Sequence, residues 1–322
     1  MTVTMALAGD TMLGRGVADR IAASGPHGLF SGGVREAFAD ADLALVNLEC
    51  CVSDRGRRWD APGKPFHFRA PPVAADALAD LGVDCVNLAN NHALDYGTDA
   101  LTDTLDHLRR AGVSAVGAGQ SVAEARECAV LEAGGVKIAV LGVTDHPSDF
   151  AAGEGRPGVA YADLMKGVPG HLLEQIRRLR AENDAVIVLP HWGPNMTGEP
   201  LRYVRRAAEE FVDAGATLVA GSSAHVFHGV DVPVLFDMGD FIDDYAVDET
   251  LRNDLGLLFV VTLDEARPSR IEAVPLRLDL ASTRLADDAD RRWIGERFTR
   301  ACAALGTDVE TRDDRLVIDV AA

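Results

Sequence analysis

Short runs of Val, Ala, Leu and Ile, apolar at odd and even positions alike, recur along the chain at residues 3–8, 43–47, 85–89, 137–143, 185–190 and 217–220. A strand that is apolar on both faces must be covered on both, so these runs predict central strands buried between layers. Helical periodicity fills the intervals at residues 73–81, 97–111, 172–181 and 203–214, with Gly82, Gly112 and Gly215 standing where a left-handed cap is wanted. The repeated order of strand, loop, helix and strand predicts an α/β fold with much parallel pairing.

After Gly221 the pattern shifts to strands without long helices between them, at residues 226–230, 234–237, 256–264 and 270–278. Gly134-Gly135 between residues 128–132 and 137–143 is a two-residue hairpin signal, which adds antiparallel pairing mid-chain. Mixed sheets with helices outside accommodate both patterns. Residues 287–304 read as an amphipathic helix and residues 315–320 as a final edge strand. Two polar stretches, 53–64 (SDRGRRWDAPGK) and 146–159 (HPSDFAAGEGRPGV), read as surface loops rather than linkers, and are candidate substrate-contacting lids. The expectation is a single domain over residues 1–322, with a motif-bearing core at 3–245 and C-terminal strands and a helix at 246–322.

Composition narrows the function classes. No stretch of roughly 18 uninterrupted apolar residues could span a bilayer. The N-terminus MTVTMALAGDTMLGR has no basic leader and reads as the first core strand. A net charge of -19 argues against broad nucleic-acid binding, which needs an excess of Lys and Arg on some surface. Cys50, Cys51, Cys85, Cys128 and Cys302 show no C-x-x-C spacing and no disulfide framework, which fits a reducing compartment, and the cytoplasm is the expected location. The adjacent Cys50 and Cys51 read as small buried hydrophobes.

The chemistry gathers where the apolar runs end, the place at which open α/β sheets bind ligands. Asp10 ends the first run, and Asn47 and Glu49 lie on one side of the second. The most specific cluster is NLANNHALDYG, in which Asn90, Asn91 and His92 follow a buried strand and Asp95 is placed to orient the imidazole. His191 follows VIVLP, and Ser222, Ser223 and His225 follow TLVAG. Carboxylates with imidazoles, and no clustered thiolates, suit a divalent ion such as manganese, zinc or ferrous iron rather than a structural zinc.

The ordered set GDTMLGRG, NLE, NLANNHALDYG, HWG and GSSAHV, closed by FDMGDF, resembles the CapA/PgsA family of poly-γ-glutamate capsule proteins, within the calcineurin-like metallophosphoesterase superfamily. The likeness covers about residues 3–245. It implies a four-layer α/β/β/α sandwich of the metallo-dependent phosphatase kind, with ions and substrate at the strand ends. By position, Asp10, Glu49, Asn91, His191 and His225 match metal-binding residues, Glu49 the bridging carboxylate and His92 the acid/base histidine. Lys64 and Phe66 also fit the family pattern. Met12 stands where relatives carry the histidine of a D-x-H motif, and Ser222-Ser223 replace histidines of a G-H-H-P-H stretch. One ion held by Asp10, Glu49 and His225, or by Asn91 and His191, therefore competes with a two-ion site. FDMGDF departs from S-L-G-N-F, and puts Asp237 and Asp240 near the site either as replacement ligands or in surface and capping roles.

Three functions follow. The first is a metal-dependent hydrolase of CapA type, with manganese, zinc, iron or calcium as one or two ions, that cleaves a phosphoester or a γ-glutamyl or peptide amide while His92 protonates the leaving group. Its expected partner is an anionic small molecule or peptide, held by Arg15, Arg55, Arg57, Arg58 and Lys64, with neither nucleic acid nor membrane involved. Asn90, Asp95, Ser223 and Asp240 are expected to support the ligands. The second is a peptide Cα-epimerase of a natural-product pathway, in which Asp10 with His225 or His92 forms the acid/base couple. The third is a non-catalytic subunit in polymer assembly.

Overall fold

The structure is a computed structural model that describes residues 1–60 and 64–320. Its centre is two mixed sheets. The larger has ten strands, with Thr2–Thr11 in the middle. Leu43–Leu48, Cys85–Asn87 and Ser114–Val116 extend it in parallel on one side. Leu255–Asp264, Arg267–Asp279 and Arg315–Asp319 extend it antiparallel on the other. The C-terminal segment thus supplies the strand beside the N-terminal one. The smaller sheet has six strands, with Ala185–His191 between Val136–Thr144 and Leu218–Ala220, all parallel.

Alternation along each strand sorts side chains into three apolar layers. Val3, Met5 and Leu7 meet Ile138, Val140, Ile187 and Leu189 between the sheets. Ala6, Ala8, Val46 and Val86 face outward beneath the helices that carry Val17, Leu78 and Leu101. On the far side, Leu141, Val186 and Val188 lie under the helices that carry Ile176 and Phe211. Helix, sheet, sheet and helix is the α/β/β/α sandwich implied by the sequence resemblance. Each fully buried Val, Leu or Ile contributes roughly 1.5–3 kcal/mol to holding the layers together. Asp288–Ala303 closes one end of the inter-sheet layer through Ile294, Phe298 and Cys302.

Helices at Val73–Leu81 and Gly97–Ala111 coincide with their sequence expectations, and Gly82 and Gly112 cap them with φ of 94° and 79°. The Gly134-Gly135 turn has φ of 56° and 75°, and joins the antiparallel pair Ala129–Ala133 and Val136–Thr144. Three expectations need correcting. No strand runs over residues 226–230, where only Val230–Asp231 pairs, because Ser223 and His225 adopt φ of 121° and 59° and turn the chain away from a ladder. Arg315–Asp319 is flanked by Glu310–Arg312, so it is not the sheet edge. Helices also form at Arg15–Ser24 and Gly32–Ala39, where no helix is read from the sequence.

Of the loop at 53–64, residues 61–63 lie outside the described residues. Its described part meets the loop at 146–159: Trp59 donates to Asp149 at 2.9 Å and packs edge-on against Phe150.

Candidate metal centre

Strand register builds the site. Parallel pairing sets Asp10 beside Asn47 on one flank and beside Asp240 on the other, and Asn47 in turn beside Asn87. The register slips at Gly9, a bulge that re-aims the next side chain. Gly9 is required there: a Cβ would lie 1.9 Å from the carbonyl oxygen of Gly239, which accepts the Asp10 N–H at 2.9 Å. Glu49 follows its strand by one residue, and the irregular turn after Leu218–Ala220 swings His225 inward.

Asp10, Glu49, His225 and Asp240 are all buried, and each offers a ligand atom within 4.8 Å of the others. His225 Nδ1 lies 2.8 Å from Asp240 Oδ1 and 3.2 Å from Asp10 Oδ2. Neither oxygen of Glu49 has a hydrogen-bond partner, and Asp240 Oδ2 has none either. A buried carboxylate without a partner is strongly disfavoured, so the arrangement fits a cation among these groups. The donors, three carboxylates and one imidazole, suit a divalent ion of hard to intermediate character.

The electrostatics agree. Burial, then the Asp10 and Asp240 charges, hold the Glu49 carboxyl well above the usual range against the opposing pull of His225. Burial raises Asp240 in the same way. Burial also opposes a proton on His225, but Asp240, Glu49 and Asp10 outweigh it and hold that imidazole well above its ordinary value. Asp10 stays below the usual value because His225, His191 and Asn47 outweigh its burial.

His92 stands beside this cluster, with Nε2 3.8 Å from Glu49 Oε1. Its Nδ1 is held at 2.6 Å by Asp95 Oδ2, which also accepts from the Phe68 N–H at 2.6 Å. Lys64 Nζ approaches Asp95 Oδ1 at 2.8 Å and donates to the Asn91 carbonyl at 2.8 Å. Phe68 stacks on the His92 ring at 4.1 Å between centroids. Burial, opposed by Asp95, depresses the His92 pKa to about 4, so near neutrality the ring is uncharged and its Nε2 faces Glu49. Asn90 shapes the loop: it donates to the Leu48 carbonyl at 2.8 Å and accepts from the His92 N–H at 3.0 Å.

Asn91 and His191 meet each other, with Oδ1 and Nε2 3.1 Å apart. His191 Nδ1 lies 3.0 Å from Ser222 Oγ and 3.4 Å from the Asn47 amide, which donates to Asp10 at 2.7 Å. Ser223 donates its N–H to Asp10 at 3.2 Å and its hydroxyl to the Gly193 carbonyl at 2.9 Å. Asp237 accepts from the N–H groups of Ala224 and Gly239, both at 2.9 Å, and so staples two turns together rather than offering a free ligand.

The arginines divide. Arg15 pairs with Asp244 at 3.2 Å and lies over the rings of Phe66 and Phe68. Arg55 is committed to Asp103 through a two-pronged ion pair, and Arg58 reaches the Tyr96 hydroxyl at 3.4 Å.

Sequence reasoning passed over two groups. His146 is bonded through Nδ1 to Asp145, whose other oxygen accepts from Gly193 N–H at 3.1 Å and Tyr203 OH at 2.8 Å. The His146 ring lies 5.3 Å from that of His191. Both residues follow an apolar run, so the strand-end rule that found His191 points to them too. Tyr245 packs edge-on to His225 at 5.3 Å, and no sequence signal marks it.

A family model described as Bacterial capsule synthesis protein PGA_cap matches residues 4–245. A probable polyglutamine synthesis accessory protein of Mycobacterium tuberculosis is 31% identical, over 86% of this chain and 76% of its own. The PGA biosynthesis protein CapA of Bacillus subtilis is 28% identical over 88% and 78% respectively. The capsule biosynthesis protein CapA of Bacillus anthracis is 27% identical over 98% and 77%.

Proposed function

We propose a function from one premise: the chain belongs to the PGA_cap family of bacterial capsule synthesis proteins. It acts as a metal-dependent hydrolase of CapA type on a phosphoester or a γ-glutamyl or peptide amide of an anionic substrate. The observation that carries this reading is Glu49: its buried carboxylate has no hydrogen-bond partner, sits among Asp10, His225 and Asp240, and lies next to an imidazole oriented by Asp95.

A divalent ion at this cluster supplies Lewis-acid polarisation of a phosphoryl or carbonyl oxygen and acidifies water. The chain's own residues do the rest. Asp95 holds the Nδ1–H of His92 so that Nε2 is free of a proton and faces the site; Nε2 takes the proton of the attacking water and then passes it to the departing oxygen or nitrogen. Lys64 holds Asp95 in place, and Arg15, which lies over the rings of Phe66 and Phe68, offers a cation to an anionic substrate. The test is turnover of a bis-aryl phosphodiester and of γ-glutamyl anilide with added Mn2+. His92→Ala should lower kcat by about 100-fold or more while metal content stays unchanged. Equal turnover by the variant would reject the role of His92, and no ion-dependent turnover of either substrate class would reject hydrolysis.

One observation favours a second reading, metal-assisted Cα-epimerisation. Asp10 lies 3.2 Å from His225, and His92 is oriented separately by Asp95, which supplies distinct groups for proton removal and return. Incubation of candidate peptides in deuterated water separates the readings: deuterium at carbon without bond cleavage supports epimerisation, and cleavage rejects it.

A further inference from the structure

The two halves of the site differ in how their polar atoms are satisfied. Asn91 Oδ1 and His191 Nε2 hydrogen-bond each other at 3.1 Å, and His191 Nδ1 is occupied by Ser222 Oγ at 3.0 Å. The hydroxyl of Ser223 is spent on the Gly193 carbonyl. These groups need no ion. The half formed by Asp10, Glu49, His225 and Asp240 is the opposite: two oxygens of Glu49 and one of Asp240 are buried with no hydrogen-bond partner. Glu49 is 0% and Asp240 2% exposed, so bulk solvent does not reach these oxygens. Met12 adds no donor to this half, because its sulfur accepts from the Gly14 N–H at 3.1 Å.

We infer that the centre holds a single divalent ion, bound by Asp10, Glu49, His225 and Asp240, with Asp240 as the fourth ligand and the Asn91–His191 pair left as a closed hydrogen bond beside it. The inference rests on the metal-dependent reading and specifies it. Asp240 reaches the cluster because parallel pairing sets it beside Asp10 and because Gly9 and Gly239 let the two backbones approach. Three carboxylate oxygens and one imidazole nitrogen accommodate manganese, whose unpaired electrons make it the ion to probe with. In the second half, Asn91 and His191 bring only an amide oxygen and one imidazole of their own, already bonded to each other, and a companion ion would have to break that bond and share Glu49 with the first.

The experiment loads the purified full chain with Mn2+ after chelation and measures ion count by elemental analysis, affinity by calorimetry and coupling by electron paramagnetic resonance. The expected result is one ion per chain with the uncoupled signal of an isolated ion. Asp240→Asn, close in shape, should weaken Mn2+ binding at least about 10-fold, whereas Asn91→Ala should leave affinity unchanged. Two ions per chain with a coupled signal, or unchanged affinity in Asp240→Asn, overturns the inference while leaving the metal-dependent reading standing. No ion at all overturns both. One ion lost with Asp240 but no turnover of any substrate supports the inference and rejects hydrolysis. The wild-type ion count decides the matter even if Asp240→Asn fails to fold.

Discussion

A single side chain, Glu49, carries the strongest evidence for function, because burying a carboxylate with neither oxygen bonded works against folding. Glu49→Gln removes that penalty along with a ligand. In chelator at alkaline pH, where the wild-type carboxyl must lose its proton, the variant should be more stable than wild type by about 1–3 kcal/mol by denaturant unfolding. Added Mn2+ should raise the wild-type melting temperature and leave the variant's unchanged. A less stable variant would mean that Glu49 has a partner after all. At this scale the sequence was informative where a residue type ends an apolar run: Asp10, His92, His191 and His225 were all found that way. Asp240 was harder to place, since FDMGDF reads equally well as a ligand or a cap, and only the register of the Asp240–Ile242 strand against Asp10 decides its position. Tyr245 approaches His225 through tertiary packing alone, which no local pattern encodes.

Among the elements, the critical one is the bulge at Gly9, where the first strand and the turn at residues 237–240 come together. Gly9→Ala would force the Gly239 carbonyl away and with it the Asp240 arm. The expected outcome is a loss of about 1–3 kcal/mol in unfolding free energy, with Mn2+ affinity reduced beyond what the lost stability explains. Unchanged affinity would show that the close approach serves packing only. Element identity was legible wherever both faces are buried or periodicity is long, as in Val73–Leu81 and Gly97–Ala111. The helix at Arg15–Ser24 gave little signal, because glycines bound it at both ends and only Val17 and Ile21 are buried. The segment at 226–230 misled in the opposite direction: its apolar residues fill the core from irregular backbone, with Phe227 among the inter-sheet residues.

For the whole molecule, the buried site sets the pH dependence of stability. Burial, then the Asp10 charge, raises Asp237 from 3.8 to about 8, so the stability this group contributes is complete below about pH 4 and lost as pH climbs to 8. Glu49 and Asp240, raised in the same direction, add to that loss. Burial depresses His92 to about 4 and His191 to about 3 from 6.5, so their contribution grows as pH rises to 6.5 and is constant above it. Above pH 6.5 the histidine contribution no longer changes while the acidic groups go on losing theirs, so in chelator stability declines from 6.5 toward 8, which thermal melts across that range would record. A flat profile between 6.5 and 8 would contradict the buried acidic cluster. The sandwich itself was anticipated by the motif order rather than by composition, which established only a large apolar core. No helix among the described residues is long and apolar enough to cross a membrane. The proposed function depends on groups from both sheets meeting over one cation. Anomalous diffraction from crystals soaked in manganese tests that most directly: the account expects a peak bonded to Glu49, Asp10, His225 and Asp240. Saturated crystals with no peak there, or with His225 still hydrogen-bonded to Asp240 and the ion elsewhere, would contradict it.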